Sequence, residues 1–146
     1  MAEHSLWRLS RALLRAINER HFEDFNRMLD DDIDWAIYGP IDMFPFLGAR
    51  QGKAAVADVV KHIADNFRIR RFEREAMMLD EAAASTMVRC ALTALDTGKP
   101  ITMRLAHFTQ FRGDKLLRLR MLLDTFDLVE QTLGQPIHLP RIGSFA

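Results

Sequence analysis

The chain has 146 residues, of which 49% are hydrophobic and 27% charged, the balance of a globular domain that buries a core without disulfides or structural metal. Basic and acidic side chains number 20 each, so no net field draws the chain to nucleic acid or to an anionic membrane surface. Cys90 is the only cysteine, which excludes an intramolecular disulfide framework and a cysteine-based metal cluster.

Apolar runs fall well short of the roughly 20 residues that span a bilayer. The start, MAEHSLWRLSRALL, lacks a long apolar core followed by a small-residue cleavage site, so a cytoplasmic location with no membrane partner is expected. After Ser5, the residues Leu6, Leu9, Leu13 and Ile17, then Phe22, Phe25, Met28 and Leu29, recur at three- and four-residue steps and predict two helices. Asn18 and His21 in the intervening NERHFED are expected to end one helix and begin the next. In DDDIDWAIYGP, Ile33, Trp35 and Ile37 alternate as a short strand that Gly39 and Pro40 stop. The stretch IDMFPFLGARQG reads as a loop that tucks Phe44 and Phe46 under the body. Val56, Val59, Val60, Ile63 and Phe67 then mark a third helix behind Gly52.

From Ile69 the period becomes two. RIRRFEREAMMLDE, ASTMVRCALTALD, KPITMRLAHFTQF and DKLLRLRMLLD are four strands joined by turns too short for parallel crossovers, hence an antiparallel meander. TFDLVEQTLG returns to helical spacing and stops at Gly134. The tail 135–146 is expected to be extended, with Phe145 folding back onto the body. Helices followed by a run of antiparallel strands is the α+β pattern, a curved sheet covered by three N-terminal helices. Such a cone leaves an interior gap where a ligand fits.

This order of elements resembles the nuclear transport factor two-like superfamily, and within it the SnoaL-like polyketide cyclases. The resemblance is carried by ALLRAINERHFEDFNRMLDDDIDW, by GARQGKAAVADVVKHI and by LAHFTQFRGDKLLRLRMLLDTFDLVEQTLG, and it covers about residues 6–134 of one domain, 1–146. It implies a cone fold and chemistry on small molecules. In ketosteroid isomerases a carboxylate base ends the first strand and a tyrosine lies on the first helix. Here those positions hold Ile37 or Tyr38, and Leu13. The central arginine of limonene epoxide hydrolase corresponds to Arg89, but its two aspartates correspond to Ala91 and Met121. Scytalone dehydratase, with a histidine and an aspartate, and the SnoaL cyclases, with a carboxylate on the final strand, have partial counterparts in His107 and Asp124.

His107 shares the apolar parity of Ile101, Met103, Leu105, Thr109 and Phe111, so it is either a neutral base in an apolar pocket or a core histidine with satisfied nitrogens. Asp124 is either a carboxylate at the pocket or the N-cap of the last helix. Leu119, Met121 and Leu123 look inward, and that parity turns Asp124 outward unless the strand is bulged. Arg89, with Met87 and Ala91, either points into the cone to bind an anion or faces solvent, and Arg104 has the same two options. Trp35, Tyr38, Phe46, Met87, Arg89 and Met121 are the expected ligand-binding set. Asp30 to Asp34 are expected on a helix end and turn, as a solvated group rather than a metal site. RIRRFERE reads as an exposed strand face.

The expected function is a cofactor-independent isomerase or lyase, with His107 and Asp124 shuttling a proton on a small apolar carbonyl compound. The alternatives are a noncatalytic binding protein, with those polar groups satisfied elsewhere, and an interaction protein whose cone is filled by Phe44, Phe46 and Phe145. No metal or other cofactor is expected. The sheet face left uncovered by helices is expected to pair with a second copy as a homodimer.

Overall fold

The structure, a computed structural model, describes residues 3–137. His138 and Phe145, and with them the expected fold-back of the tail, lie outside the described residues. The elements run α1 (Ser5–Glu19), α2 (Glu23–Arg27), β1 (Leu29–Tyr38), β2 (Gly48–Gln51), α3 (Lys53–Asn66), β3 (Phe67–Asp80), β4 (Ala83–Ala94), β5 (Pro100–Arg112), β6 (Lys115–Leu123) and α4 (Thr125–Leu133).

The His4 imidazole caps α1 by accepting from the Leu6 amide at 3.0 Å, and Arg20 closes it in the left-handed conformation. Asn18, expected to end the helix, instead reaches across to β3. Its amide donates to the Ile69 carbonyl and accepts from the Ile69 amide, both at 2.8 Å, and so ties α1 to the sheet. Leu6, Leu9, Ala12, Ala16 and Ile17 form the buried stripe of α1, and α3 buries Val56, Val59 and Val60 behind Gly52.

The strands make one curved, unclosed sheet in the order β2-β1-β6-β5-β4-β3. β3 to β6 form the antiparallel meander. The sheet is mixed, because β1 runs parallel to β6 and antiparallel to β2. Strand β2 corrects the reading of its segment as loop: four residues with only two half-buried positions carry too weak an alternation to register in the sequence. The turn between β5 and β6 is Gly113-Asp114, with Gly113 at φ 64°, a positive value that glycine adopts without a Cβ clash and that matches the twist of a two-residue hairpin.

Asp30 to Asp34 belong to β1, not to a helix end and turn. Cations take them one by one. Arg112 binds Asp30 and Asp32, Lys53 lies 3.4 Å from Asp31, and Arg120 binds Asp34 at 2.8 Å. These pairs hold the carboxyls of Asp30 and Asp34 below their usual range, through hydrogen bonds from Arg112 and Arg120 respectively. Among the described residues no group of three His, Cys, Asp or Glu side chains is placed to hold a metal ion, and no helix is long and apolar enough to cross a membrane.

Candidate functional site

Between the helices and the concave face of the sheet lie two adjoining cavities. The first, about 120 Å³, is lined only by apolar side chains, none of them exposed, and includes Trp35, Phe46, Cys90 and Met103. Burial pushes the Cys90 thiol up to about 11, so it stays protonated. An apolar void of about this size stays dry and admits a single aromatic ring. The second, about 240 Å³, carries the polar groups Ser10, Arg11, Arg74 and His107 and meets solvent at Leu14 and Arg11. Leu13, Ile69, Phe72 and Met121 line both and form a collar between them. Phe44 and Phe46 tuck inward as expected, and they line the first cavity as walls without filling it.

His107 is 6% exposed. It sits in the row Met77, Thr86, His107, Met121 across β3 to β6, which is the inward parity. Its Nε2 lies 2.5 Å from the Thr86 hydroxyl, while Nδ1 has no hydrogen-bond partner among the described residues. Burial, helped by the positive charge of Arg74, pulls its pKa down to about 4, so the ring is neutral at physiological pH. Thr86 thereby selects the tautomer. If Nε2 donates to the hydroxyl, Nδ1 is a base facing the cavity; if the hydroxyl donates, Nδ1 carries the proton.

Arg74 is the residue that sequence reasoning missed. It lies opposite Val88, in the next inward-facing row along from that of His107. A bulge between Ile69 and Arg71 shifts the alternation, so that Phe72 and Arg74 both turn inward. The guanidinium sits over the Trp7 ring at 4.9 Å and the Phe72 ring at 5.3 Å, and it donates to the Ser10 hydroxyl. A signal was present in the inward apolar Phe72 two positions earlier, but the bulge broke the count from Phe67.

The other expected site residues divide between the faces. Trp35, Phe46 and Met121 line the interior. Met87 and Arg89 do not: both are on the convex face, where β4 exposes alternate residues, and Arg89 lies with Arg104 beside Glu75. Tyr38 is also exposed, on that face at the end of β1, because the strand's alternation directs Ile37 inward. Asp124 is exposed and caps α4, its carboxylate accepting from the Asp127 amide at 3.3 Å. Its own amide donates to the backbone carbonyl of Arg104, and it lines a shallow surface depression with Arg71, Arg89 and Arg104. The strand parity that turned it outward holds, so His107 and Asp124 do not converge.

A curved sheet covered on its concave face by helices, with a mostly apolar interior cavity and a few inward polar groups, is a cone of the nuclear transport factor two-like fold. Residues 10–119 match the model of the SnoaL-like domain, and the chain belongs to that family. The solved structure named "Putative Isomerase from Rhodopseudomonas palustris" is 61% identical, with a TM-score of 0.91 over 92% of this chain and 100% of that one. A nuclear transport factor two-like protein from Burkholderia xenovorans is similar in fold at 17% identity, TM-score 0.72, over 90% of this chain and 98% of that one. A structure from Pseudomonas putida, named as a "putative polyketide cyclase", has 19% identity and a TM-score of 0.68 over 84% of this chain and 94% of that one. No curated protein matches the chain.

Proposed function

We propose that this protein is a cofactor-independent isomerase or lyase acting on a small apolar carbonyl compound held in the concave cavity. The observation that supports this reading is a buried, neutral His107 with a ring nitrogen unpartnered among the described residues, on the wall of a largely apolar cavity that Arg74 also lines. Nδ1 takes a proton from the carbon beside the carbonyl, and Arg74 stabilises the oxygen on which negative charge develops. Return of the proton to another carbon completes an isomerisation, and expulsion of a leaving group from the neighbouring carbon completes an elimination. An imidazole pulled down to about 4 is a weak base. The substrate proton must therefore be unusually acidic, as on a carbon flanked by two carbonyls in polyketide-like compounds. Asp124, Tyr38 and Arg89, on the other side of the sheet, have no part in this chemistry.

A noncatalytic binding protein is the second reading, favoured by the wholly apolar lining of the inner cavity. Incubation with apolar aromatic ketones and 1,3-diketones in heavy water, followed by NMR, separates the two. Catalysis predicts loss of the proton next to the carbonyl above the buffer rate, slowed at least about a hundredfold in His107→Gln. A compound that raises thermal stability by about 2.7 kcal/mol at a hundred times its Kd, without any exchange, would leave the binding reading alone.

We also propose a homodimer through the convex face. Ala76, Met87, Ala106, Leu122 and Tyr38 stand in one row across five strands, and Phe108 is exposed two rows away on the same face. Arg89, Arg104 and Glu75 flank this apolar row with charges of both signs, which a two-fold related copy can complement.

A further inference from the structure

Arg74 is a cation without an anion. Most arginines of the chain meet a carboxylate: Arg112 binds Asp30, Arg120 binds Asp34, Arg104 binds Glu75. Among the described residues no acid pairs with Arg74, and its Nε–H, shielded from solvent, finds no acceptor at all. Two other buried donors share that condition, but in different settings. Arg8 has Asp114 and Ser5 for its terminal nitrogens, and the Trp35 indole stands within the apolar core without a charge.

The surroundings of Arg74 do not cancel its charge. Ser10 supplies a neutral hydroxyl, and the Trp7 and Phe72 rings hold the guanidinium in place. Arg11, at the rim of the same cavity, is already matched by both oxygens of Glu3. His107 is uncharged there. The outer cavity thus has one fixed positive charge, without a carboxylate partner among the described residues, above a largely apolar wall, a combination whose desolvation cost falls when an oxygen anion arrives.

We infer that the ligand is a small amphipathic organic monoanion whose oxygen pairs with the guanidinium of Arg74, while its apolar body lies against Leu9, Leu13 and Phe72 toward the Met121 collar. This deepens the reading above and rests on it for the cavity being the ligand site. It narrows the class from apolar carbonyl compounds in general to those that carry a carboxylate or an acidic enol. The unbranched thioether of Met121 is the part of the collar that moves most readily to admit a longer body into the inner cavity.

The test is a matched pair, phenylbutanoate and its methyl ester, titrated calorimetrically into the wild-type chain, Arg74→Gln and Arg74→Lys. Wild type is expected to prefer the acid by about tenfold or more, as charge-assisted hydrogen bonds require. Arg74→Gln should lose that preference, the acid's affinity falling by more than the ester's, and Arg74→Lys, which keeps the charge but not the planar guanidinium, should keep part of it. Equal affinity of wild type for acid and ester overturns the inference without recourse to any variant. So does an acid preference that survives in a folded Arg74→Gln. If neither compound binds, the ligand cavity falls and the inference with it. An intact acid preference in a protein that exchanges no carbon-bound proton sustains the inference and overturns only the catalytic reading.

Discussion

Arg74 and Arg89 are both strand arginines, on β3 and β4, and they lie close together in the ladder, where Arg74 faces Val88 and Arg89 faces Glu73. One row of pleat separates their fates. Arg89 shares Glu75 with Arg104 on the convex face, exposed to water, where a charge costs little. Arg74 turns to the concave face, held between two aromatic rings with an unused donor. The same contrast separates His107, sealed beneath the helices, from Asp124, which is exposed at a helix start. Chemistry in this fold follows from which side of the pleat a residue occupies, more than from its type or its proximity along the strands.

The largest effect that tests this contrast is on the acid side of neutrality. The unfolded chain binds a proton on His107 near 6.5, the folded chain only near 4. Between those values the unfolded state holds more protons, so stability rises with pH and is lost as pH falls through the window. The loss attributable to this one ring is on the order of 3 kcal/mol when the window is fully crossed. Arg74 and Thr86 are the charged and polar groups that face it, and the paired carboxylates Asp30 and Asp34 titrate below the window. Urea midpoints of wild type and His107→Leu at about pH 7 and about pH 4.5 should show a smaller acid loss in the variant. Equal losses would mean that the ring is not held neutral.

The convex face is tested by its oligomeric state. Leu122→Glu, between Ala106 and Tyr38 in the apolar row, puts a charge into the proposed dimer interface without touching the interior. Sedimentation equilibrium should show the dimer weakened by at least about tenfold, equivalent to about 1.4 kcal/mol. A wild-type chain that sediments as a monomer at high concentration would remove the interface altogether.

Much of this architecture was legible in the sequence, and the gaps have physical causes. The meander could be read because alternation persists over Ala83–Ala94 and Pro100–Arg112 with every second residue buried or nearly so. The inward position of His107 follows from the same parity. Strand β2 escaped because four residues with Gly and Arg carry no apolar alternation, and its pairing with β1 is a long-range event. The acidic start of β1 looked like a turn because aspartate disfavours strands; Arg112, Lys53 and Arg120, distant in sequence, supply the charges that make a strand tolerable there. Arg74 was hidden by a bulge, since a single extra residue reverses the faces that periodicity assigns.

The smallest effect is the most discriminating for Asp124. Its carboxylate accepts from the Asp127 amide, one of the donors that a helix start leaves without an intrahelical partner. Replacement by alanine removes that acceptor and should cost about 1 kcal/mol, the usual loss for an aspartate N-cap. Asparagine, which also accepts at this position, should restore most of it. Neither change alters the concave face, so ligand affinity and proton exchange should stay at wild-type values in both. A role as His107's partner predicts the opposite pattern, with asparagine as damaging to exchange as alanine because it cannot take up a proton. Stability measured by urea unfolding beside exchange measured in heavy water thus separates a helix cap from a catalytic carboxylate, even though Asp124 directly follows the strand that pairs with that of His107.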